Sequence, residues 1–364
     1  QRARPSLLSD LNLKAPANDI CIVRLSAIGD TCHALAVVRR IQDNWPKANI
    51  TWIIGKTEAS LMADIPDIEF IIFDKSKGRK AYKDVQQHLG GKRFDIALCM
   101  HASMRANFLY RKINSPIKLG FDRKRAKDFQ WLFTNRRIAA VHGEHALEAM
   151  MSFASAISLE PQAIRWDIPL QEDVREFAAG YCSQNKPLVV ISPCSSNRSR
   201  NFRNWRKQHF VEIVRHLNNK NCRVVLTGGP SALEIDYGEA LAKDGAAENL
   251  VAKTSLKQLA ALIDAADLVI CPDSGPAHMA TAFSTPVLGL YATSNPERTG
   301  PYASRELTVN RYPDAVQKFL GKSVQQLRWG QRVRHPDAMD LITVEEVITK
   351  IDDFFELEPR AACD

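Results

Sequence analysis

The sequence predicts an α/β protein built from two doubly wound, Rossmann-like parallel sheets. Two observations carry that expectation. Short apolar runs alternate with segments of helical periodicity, and the alternation starts again after residue 186. Length agrees, because 364 residues is about two domains at roughly 100–200 residues each.

The first domain, 18–175, opens with Ile20-Cys21-Ile22-Val23-Arg24-Leu25. A short apolar run of this kind fits a strand covered on both faces. The loop Ser26-Ala27-Ile28-Gly29-Asp30 follows, and then Ala34, Val38, Ile41 and Trp45 recur at helical spacing until Pro46 stops the helix. Ile50–Ile54, Phe70–Phe73 and Phe94–Cys99 read as further strands. Residues 158–186 contain two prolines and many charges and read as a linker.

The second domain, 176–335, repeats the pattern. Pro187–Ile191 is a strand, Phe210–Leu217 a helix and Arg223–Leu226 a strand ending in Thr227-Gly228-Gly229-Pro230. Ser255-x-x-Gln258 is a capping box that opens a helix through Ile263. Leu268–Cys271 and Pro286–Leu290 are two more strands. A final segment, 336–364, holds a helix that starts at a second capping box, Thr343-x-x-Glu346. Its stripe Val344, Val347, Ile348, Ile351 and Phe355 must pack on something, and the first domain is the expected partner.

Composition excludes several classes. With 45% hydrophobic and 25% charged residues, the chain is neither collagen-like, nor low-complexity, nor a disulfide miniprotein. The net charge of +8 favours an acidic partner: nucleic acid, a phosphorylated ligand or an anionic membrane surface. The eight cysteines are scattered without a C-x-x-C pair, which suggests neither zinc nor redox chemistry and fits a reducing, cytoplasmic setting. No apolar run is long enough for a transmembrane helix. Residues 1–18 are polar and read as a tail rather than a secretion signal.

Two doubly wound halves imply a cleft, with ligands beyond the carboxyl ends of the strands. The loops there hold the candidates. In Cys271-Pro272-Asp273-Ser274-Gly275-Pro276-Ala277-His278, a strand ends and a helix begins. Asp273 or Ser274 can cap that helix, Pro276 suits its first turn, and its free amides can hold a phosphate. A plain strand–turn–helix is the competing reading. The first loop is neither a Walker A sequence nor G-x-G-x-x-G. Asp30 in that loop is either a helix N-cap, worth about 1 kcal/mol, or a carboxylate able to accept a proton. Residues 195–207 carry five cations with Phe202 and Trp205. Arg offers forked donors to phosphate oxygens, so one or two of these cations are expected to bind ligand and the rest to be solvated, with the aromatics as anchors. Leu119–Lys127 is a second basic cluster, containing Arg123 and Lys124. His101 and Arg105 follow the strand that ends near Cys99.

In this order and spacing, three anchors resemble glycosyltransferase family 9, the ADP-heptose:lipopolysaccharide heptosyltransferases. They are Ser26-Ala27-Ile28-Gly29-Asp30 after a strand, the Gly228-Gly229-Pro230 turn, and Asp273–His278 with Gly300-Pro301-Tyr302 downstream. The resemblance runs from about Ile20 to Tyr302. It implies a GT-B fold and metal-independent, inverting transfer of a heptose from ADP-heptose to the Kdo of an immature lipid A core, with no cofactor. Asp30 matches the family's general base. Asp273, Ser274, Gly275 and His278 match its donor-phosphate turn. Arg203 stands where the family has a lysine, in a longer loop that also brings Ser195 and Ser196. Glu234 is the candidate for the ribose-binding acid. On the acceptor side the candidates are Ser26, His101 (where relatives often have Gln), Arg105, Arg123 and Lys124. The arrangement is closer to the type I enzymes, which add the first heptose, than to type II.

The expected chemistry is direct. Asp30 takes the proton of the acceptor hydroxyl as that oxygen attacks the anomeric carbon, and ADP leaves with its charge met by amides at Ser274 and Gly275 and by Arg203. No D-x-D metal motif lies in these loops. Positive clusters at 123–127 suit a phosphorylated acceptor at the cytoplasmic face of the inner membrane. A nicotinamide-dependent oxidoreductase and a nucleic-acid-binding protein are the alternatives. The first lacks its glycine fingerprint and the second any recognised module.

Overall fold

The computed structural model describes residues 16–195 and 201–357. The chain divides into two compact units between Pro169 and Leu170.

The first unit is one sheet of six parallel strands. β1 (Asp19–Val23), β2 (Asn49–Gly55), β3 (Ile68–Phe73), β4 (Ile96–Cys99), β5 (Lys118–Gly120) and β6 (Arg136–Arg137) stand in the order β3-β2-β1-β4-β5-β6. Helices α1 (Ile28–Asn44), α2 (Lys56–Met62), α3 (Arg79–Leu89), α4 (Met104–Tyr110) and α5 (Ala146–Ala156) connect and cover it. Strand order reverses between β1 and β4, where Val23 lies opposite Cys99. Such a switch point opens a crevice at the carboxyl ends of the strands. Residues 31–41 of α1 are buried, so its helical spacing becomes a core helix rather than a surface one. Gly55 supports the first loop: its N–H donates to the Leu25 carbonyl at 3.0 Å, and a Cβ there would strike that same oxygen.

The second unit repeats the plan. β7 (Leu188–Ile191), β8 (Arg223–Leu226), β9 (Glu248–Asn249), β10 (Leu268–Pro272), β11 (Val287–Tyr291) and β12 (Val309–Asn310) are ordered β12-β11-β10-β7-β8-β9. The switch point now lies between β7 and β10. Its helices are α6 (Glu172–Ala179), α7 (Lys207–Asn219), α8 (Ala232–Gly245), α9 (Leu256–Ala265), α10 (Gly275–Ala282), α11 (Pro296–Thr299), α12 (Tyr312–Leu320) and α13 (Val344–Leu357). Both expected capping boxes form, at Ser255 with Gln258 and at Thr343 with Glu346.

One expectation changes. The closing helix α13 lays Val347, Ile351 and Phe354 into the core of the second unit, beside Phe210, Ile213 and Val214 of α7, where the first domain was the expected partner. Its apolar stripe is satisfied by the helix that its own sheet already carries. Residues 158–186, read as a linker, contain the boundary between the two units, and their first part is tied down. Arg39 Nε and Nη2 donate to the carbonyls of Trp166 (2.8 Å) and Asp167 (2.6 Å), Arg40 Nη2 donates to Gln162 (2.5 Å), and Trp166 donates to Cys32 (3.0 Å), pinning the segment along α1. The rest of it includes α6, which buries Val174 and Ala178.

Candidate functional site

At the first switch point the chain leaves β1 at Arg24 and re-enters helix at Ile28. The helix N-cap is Ala27, which has no side chain to cap with, so Asp30 is not the cap. It lies in the first turn, where a negative charge complements the positive helix end. Its side chain is 43% exposed, and its Oδ2 lies 2.5 Å from Arg24 Nη2. Arg24 is itself buried and fixed by a second bond, Nη1 to the Met100 carbonyl at 2.7 Å. Its Nε has no hydrogen-bond partner among the described residues. The result is a partly exposed carboxylate held by a rigid guanidinium. Ser26 is half-buried in the same loop.

His101 follows β4, across the switch point. Its Nδ1 accepts the Leu25 N–H at 3.3 Å. Burial, helped by the Arg24 cation, pulls its pKa down to about 3. The ring is therefore neutral at ordinary pH. With Nδ1 accepting, Nε2 carries the proton and can donate to a ligand but cannot take a proton from one. Tyr110 donates to the His101 carbonyl at 2.5 Å, and Gln130 donates to the Cys99 carbonyl at 2.7 Å, which fixes the turn. Arg105 is exposed on α4, near enough for its charge to act on His101.

Arg123 and Lys124 are both exposed. Arg123 lies over the Trp131 ring, 5.2 Å from its centroid. The shape of this loop is set by their neighbour Arg125. It ties Asp122 to Glu144 and donates to the Ala139 carbonyl at 2.6 Å.

At the second switch point, β10 is followed by Asp273, a buried carboxylate. Ser294 donates to its Oδ2 at 2.7 Å, and two guanidiniums approach the same oxygen, Arg203 at 3.5 Å and Arg332 at 3.6 Å. Arg203 also donates to the Asp273 carbonyl at 2.9 Å, and its Nε donates to Asn201 Oδ1 at 3.1 Å. Ser274 precedes α10, and its hydroxyl bonds to the Pro272 carbonyl rather than capping the helix. Gly275 opens α10 and His278, half-buried, lies one turn on. The first-turn amides of α10 therefore sit beside two arginines, an arrangement suited to a diphosphate.

Ser195 is buried in the loop after β7, where its N–H and hydroxyl bond to Asn204 Oδ1 at 2.8 and 3.0 Å. Ser196 lies outside the described residues, as do Arg198 and Arg200. Of the other cations in this stretch, Arg206 pairs with Asp340 and Lys207 with Asp236, so both are structural. Trp205 is an anchor: it is fully buried and donates to the Ile342 carbonyl at 3.1 Å. Glu234 lies in the first turn of α8, just after the Gly228-Gly229-Pro230 turn, which it holds together. Gly229 N–H donates to its Oε1 at 2.7 Å and Ser231 to its Oε2 at 2.5 Å. Each oxygen keeps a lone pair for a ligand hydroxyl.

Sequence reasoning missed Arg24 and Arg332. For Arg24 a signal existed, since a charged residue closing a strand covered on both faces needs a partner. Arg332 is some sixty positions from Asp273, and only the fold brings them together. Among the described residues, no group of three or more His, Cys, Asp or Glu is placed to hold a metal ion.

Two Rossmann-like units, each with charged side chains at its own switch point, are the frame of a GT-B glycosyltransferase. This chain belongs to glycosyltransferase family 9, the heptosyltransferases, whose family model matches residues 83–324. Membership decides for a glycosyltransferase over the dehydrogenase and non-enzymatic alternatives. Among individual relatives, the chain is 39% identical over 331 residues to the lipopolysaccharide core heptosyltransferase OpsX of Haemophilus influenzae, covering 90% of this chain and 94% of that one. In fold it is similar to the family 9 glycosyl transferase of Veillonella parvula (TM-score 0.74, 20% identity, 93% of this chain and 97% of that one). It is also similar to the E. coli heptosyltransferase WaaC with ADP (TM-score 0.72, 20% identity, 92% and 99%). At those identities the likeness is one of fold, and the fold is GT-B.

Proposed function

We propose that this chain transfers a heptose from ADP-heptose to the Kdo of the lipopolysaccharide inner core, with inversion, and that Asp30 is the general base. The observation that carries the reading is the state of Asp30: partly exposed, at a switch point, and held by a fixed guanidinium. An adjacent cation favours the charged form of a carboxylate, and a charged carboxylate can accept the proton of an attacking hydroxyl.

The donor half of the reading rests on Arg203, Arg332 and the α10 turn around Asp273. As the bond from the anomeric carbon to the ADP oxygen breaks, charge grows on the diphosphate. Fixed cations and amides meet it without rearranging. A solved relative, WaaC, is described with ADP-2-deoxy-2-fluoro heptose, which supports a donor of that chemistry. The acceptor oxygen, deprotonated by Asp30, must reach the face of the anomeric carbon opposite the leaving group, which gives inversion.

On the acceptor side, the neutral His101 supplies an N–H donor, and Arg105, Arg123 and Lys124 supply charge for phosphate or carboxylate groups. Kdo carries a carboxylate. Its lipid anchor places the work at a membrane surface, and no helix among the described residues is long and apolar enough to cross one.

Incubation with ADP-heptose and Kdo-lipid A, with the products read by mass spectrometry, tests this. A single-heptose mass increment is expected. No increment on Kdo-lipid A, with one on an acceptor that already bears a heptose, would instead assign the second transfer.

A further inference from the structure

We propose that the face made by α4 and the 122–133 loop docks this chain on an anionic lipid bilayer. The inference rests on the reading above that the acceptor is carried by a lipid.

Nine large apolar side chains are conspicuously exposed among the described residues, and four of them are here. Phe129 and Leu132 are 62% and 63% exposed, and Phe108 and Met104 45% and 40%. Concentration matters, because single exposed apolar residues are ordinary and a contiguous patch is not. The patch is contiguous. Asn107 Nδ2 donates to the Asp128 carbonyl at 2.6 Å, Met104 N–H donates to Asp128 Oδ2 at 3.2 Å, and the Phe108 ring meets that of Phe133 at 6.4 Å. Helix and loop are thus joined into one surface.

Phe129 is held outward at a cost. It and Asp128 have left-handed backbones, with φ of +59° and +52°. For a residue with a bulky Cβ substituent that conformation is unfavourable by roughly 1–2 kcal/mol. The hydrogen bond from Asn107, which is fully buried, anchors the strained turn. Burial would be the ordinary resolution for a Phe, yet the anchored turn presents it to the surroundings.

Charge says what covers the patch. Arg105, Arg123, Lys124 and Lys127 are all exposed around it. Of the loop's acids, Asp122 pairs with Arg125, and Asp128 Oδ2 accepts from the Met104 amide. Aromatic and aliphatic side chains ringed by cations fit the headgroup region of an anionic bilayer, where apolar tips enter the acyl boundary and cations meet phosphate. Arg105 is also near enough to act on His101, so this surface is continuous with the candidate acceptor side.

The test is flotation of the full chain with vesicles of phosphatidylethanolamine and phosphatidylglycerol, and with vesicles of phosphatidylcholine alone. The wild type should float with the anionic vesicles, less so at high salt, and weakly with the neutral ones. Phe129→Ser combined with Leu132→Ser should lower the bound fraction about tenfold. Lys127→Glu should weaken binding to the anionic vesicles alone. Both variants should keep the wild-type melting temperature and ADP affinity, because these side chains are exposed. Wild-type binding by the double variant, or no binding of the wild type to anionic vesicles, overturns the proposal. Turnover on a deacylated, water-soluble Kdo acceptor separates the two readings. The double variant should match the wild type there, and an equal loss on that soluble acceptor would show that the patch acts on the sugar and not on a bilayer. A wild type that binds anionic vesicles but uses neither Kdo acceptor sinks the acceptor assignment and leaves the docking surface standing.

Discussion

Arg24 Nη2 lies 2.5 Å from Asp30 Oδ2, and the same guanidinium is tied through Nη1 to the Met100 carbonyl at 2.7 Å. The pair joins the loop after β1 to the loop after β4. Arg24→Met should therefore change the pH dependence of transfer as well as its rate. Removing a cation beside a carboxylate favours the protonated form, so the acidic limb of the kcat/KM profile should move to higher pH. Arg24→Lys should move it less. An unshifted limb in Arg24→Met would remove Arg24 from the control of Asp30.

His101 makes stability depend on pH in a defined direction. Its folded pKa is about 3, below the usual 6.5, so the unfolded chain binds more protons in that interval. Its contribution is whole above about pH 6.5 and is lost as pH falls towards 3. His101→Gln, which cannot charge, should flatten the acid loss by roughly 1–2 kcal/mol between pH 7 and 5. Denaturant unfolding at several pH values measures this, and parallel curves for the two proteins would refute it.

Arg203→Ala should raise the Kd for ADP about 10–100-fold, the loss of a charge-assisted contact. Arg332→Ala, which nothing in the sequence singled out, should show a smaller loss, because its side chain is more exposed. Calorimetry decides, and unchanged affinity in both variants would put the phosphates elsewhere.

Trp205→Ala should destabilise the second unit by about 3–5 kcal/mol without a specific defect in catalysis. The side chain is fully buried, is hydrogen-bonded to Ile342 and packs edge-on against Phe210. Thermal unfolding of the variant would expose a ligand role instead, if stability held while ADP binding failed.

The strongly apolar strands and the capped helices were legible in the sequence. Ile20–Val23, Val189–Ile191 and Leu268–Cys271 announce strands covered on both faces, and Ser255 with Gln258 announces a helix start. The edge strands β6, β9 and β12 were not legible. Two residues such as Arg136–Arg137 or Glu248–Asn249 carry no periodicity, and their pairing is imposed by the neighbouring strand. Helix α6 was hidden by the charges of Glu172, Asp173, Arg175 and Glu176, since only Val174 and Ala178 face inward.

The candidate site divides the same way. Loops after strands could be found because topology puts ligands there. The long-range partnerships could not, because Arg24 meets the Met100 carbonyl, and Arg332 meets Asp273, only once the chain has folded. The sequence suggested an N-cap as one reading of Asp30, and only the backbone, with Ala27 as the cap, separates the two.

The most direct test is the turnover of Asp30→Asn on ADP-heptose and Kdo-lipid A, measured beside its ADP affinity and melting temperature. The account predicts a fall in kcat of about a hundredfold to ten-thousandfold, with ADP affinity and fold retained. Turnover within a few-fold of wild type would contradict it, and another group would have to take the proton.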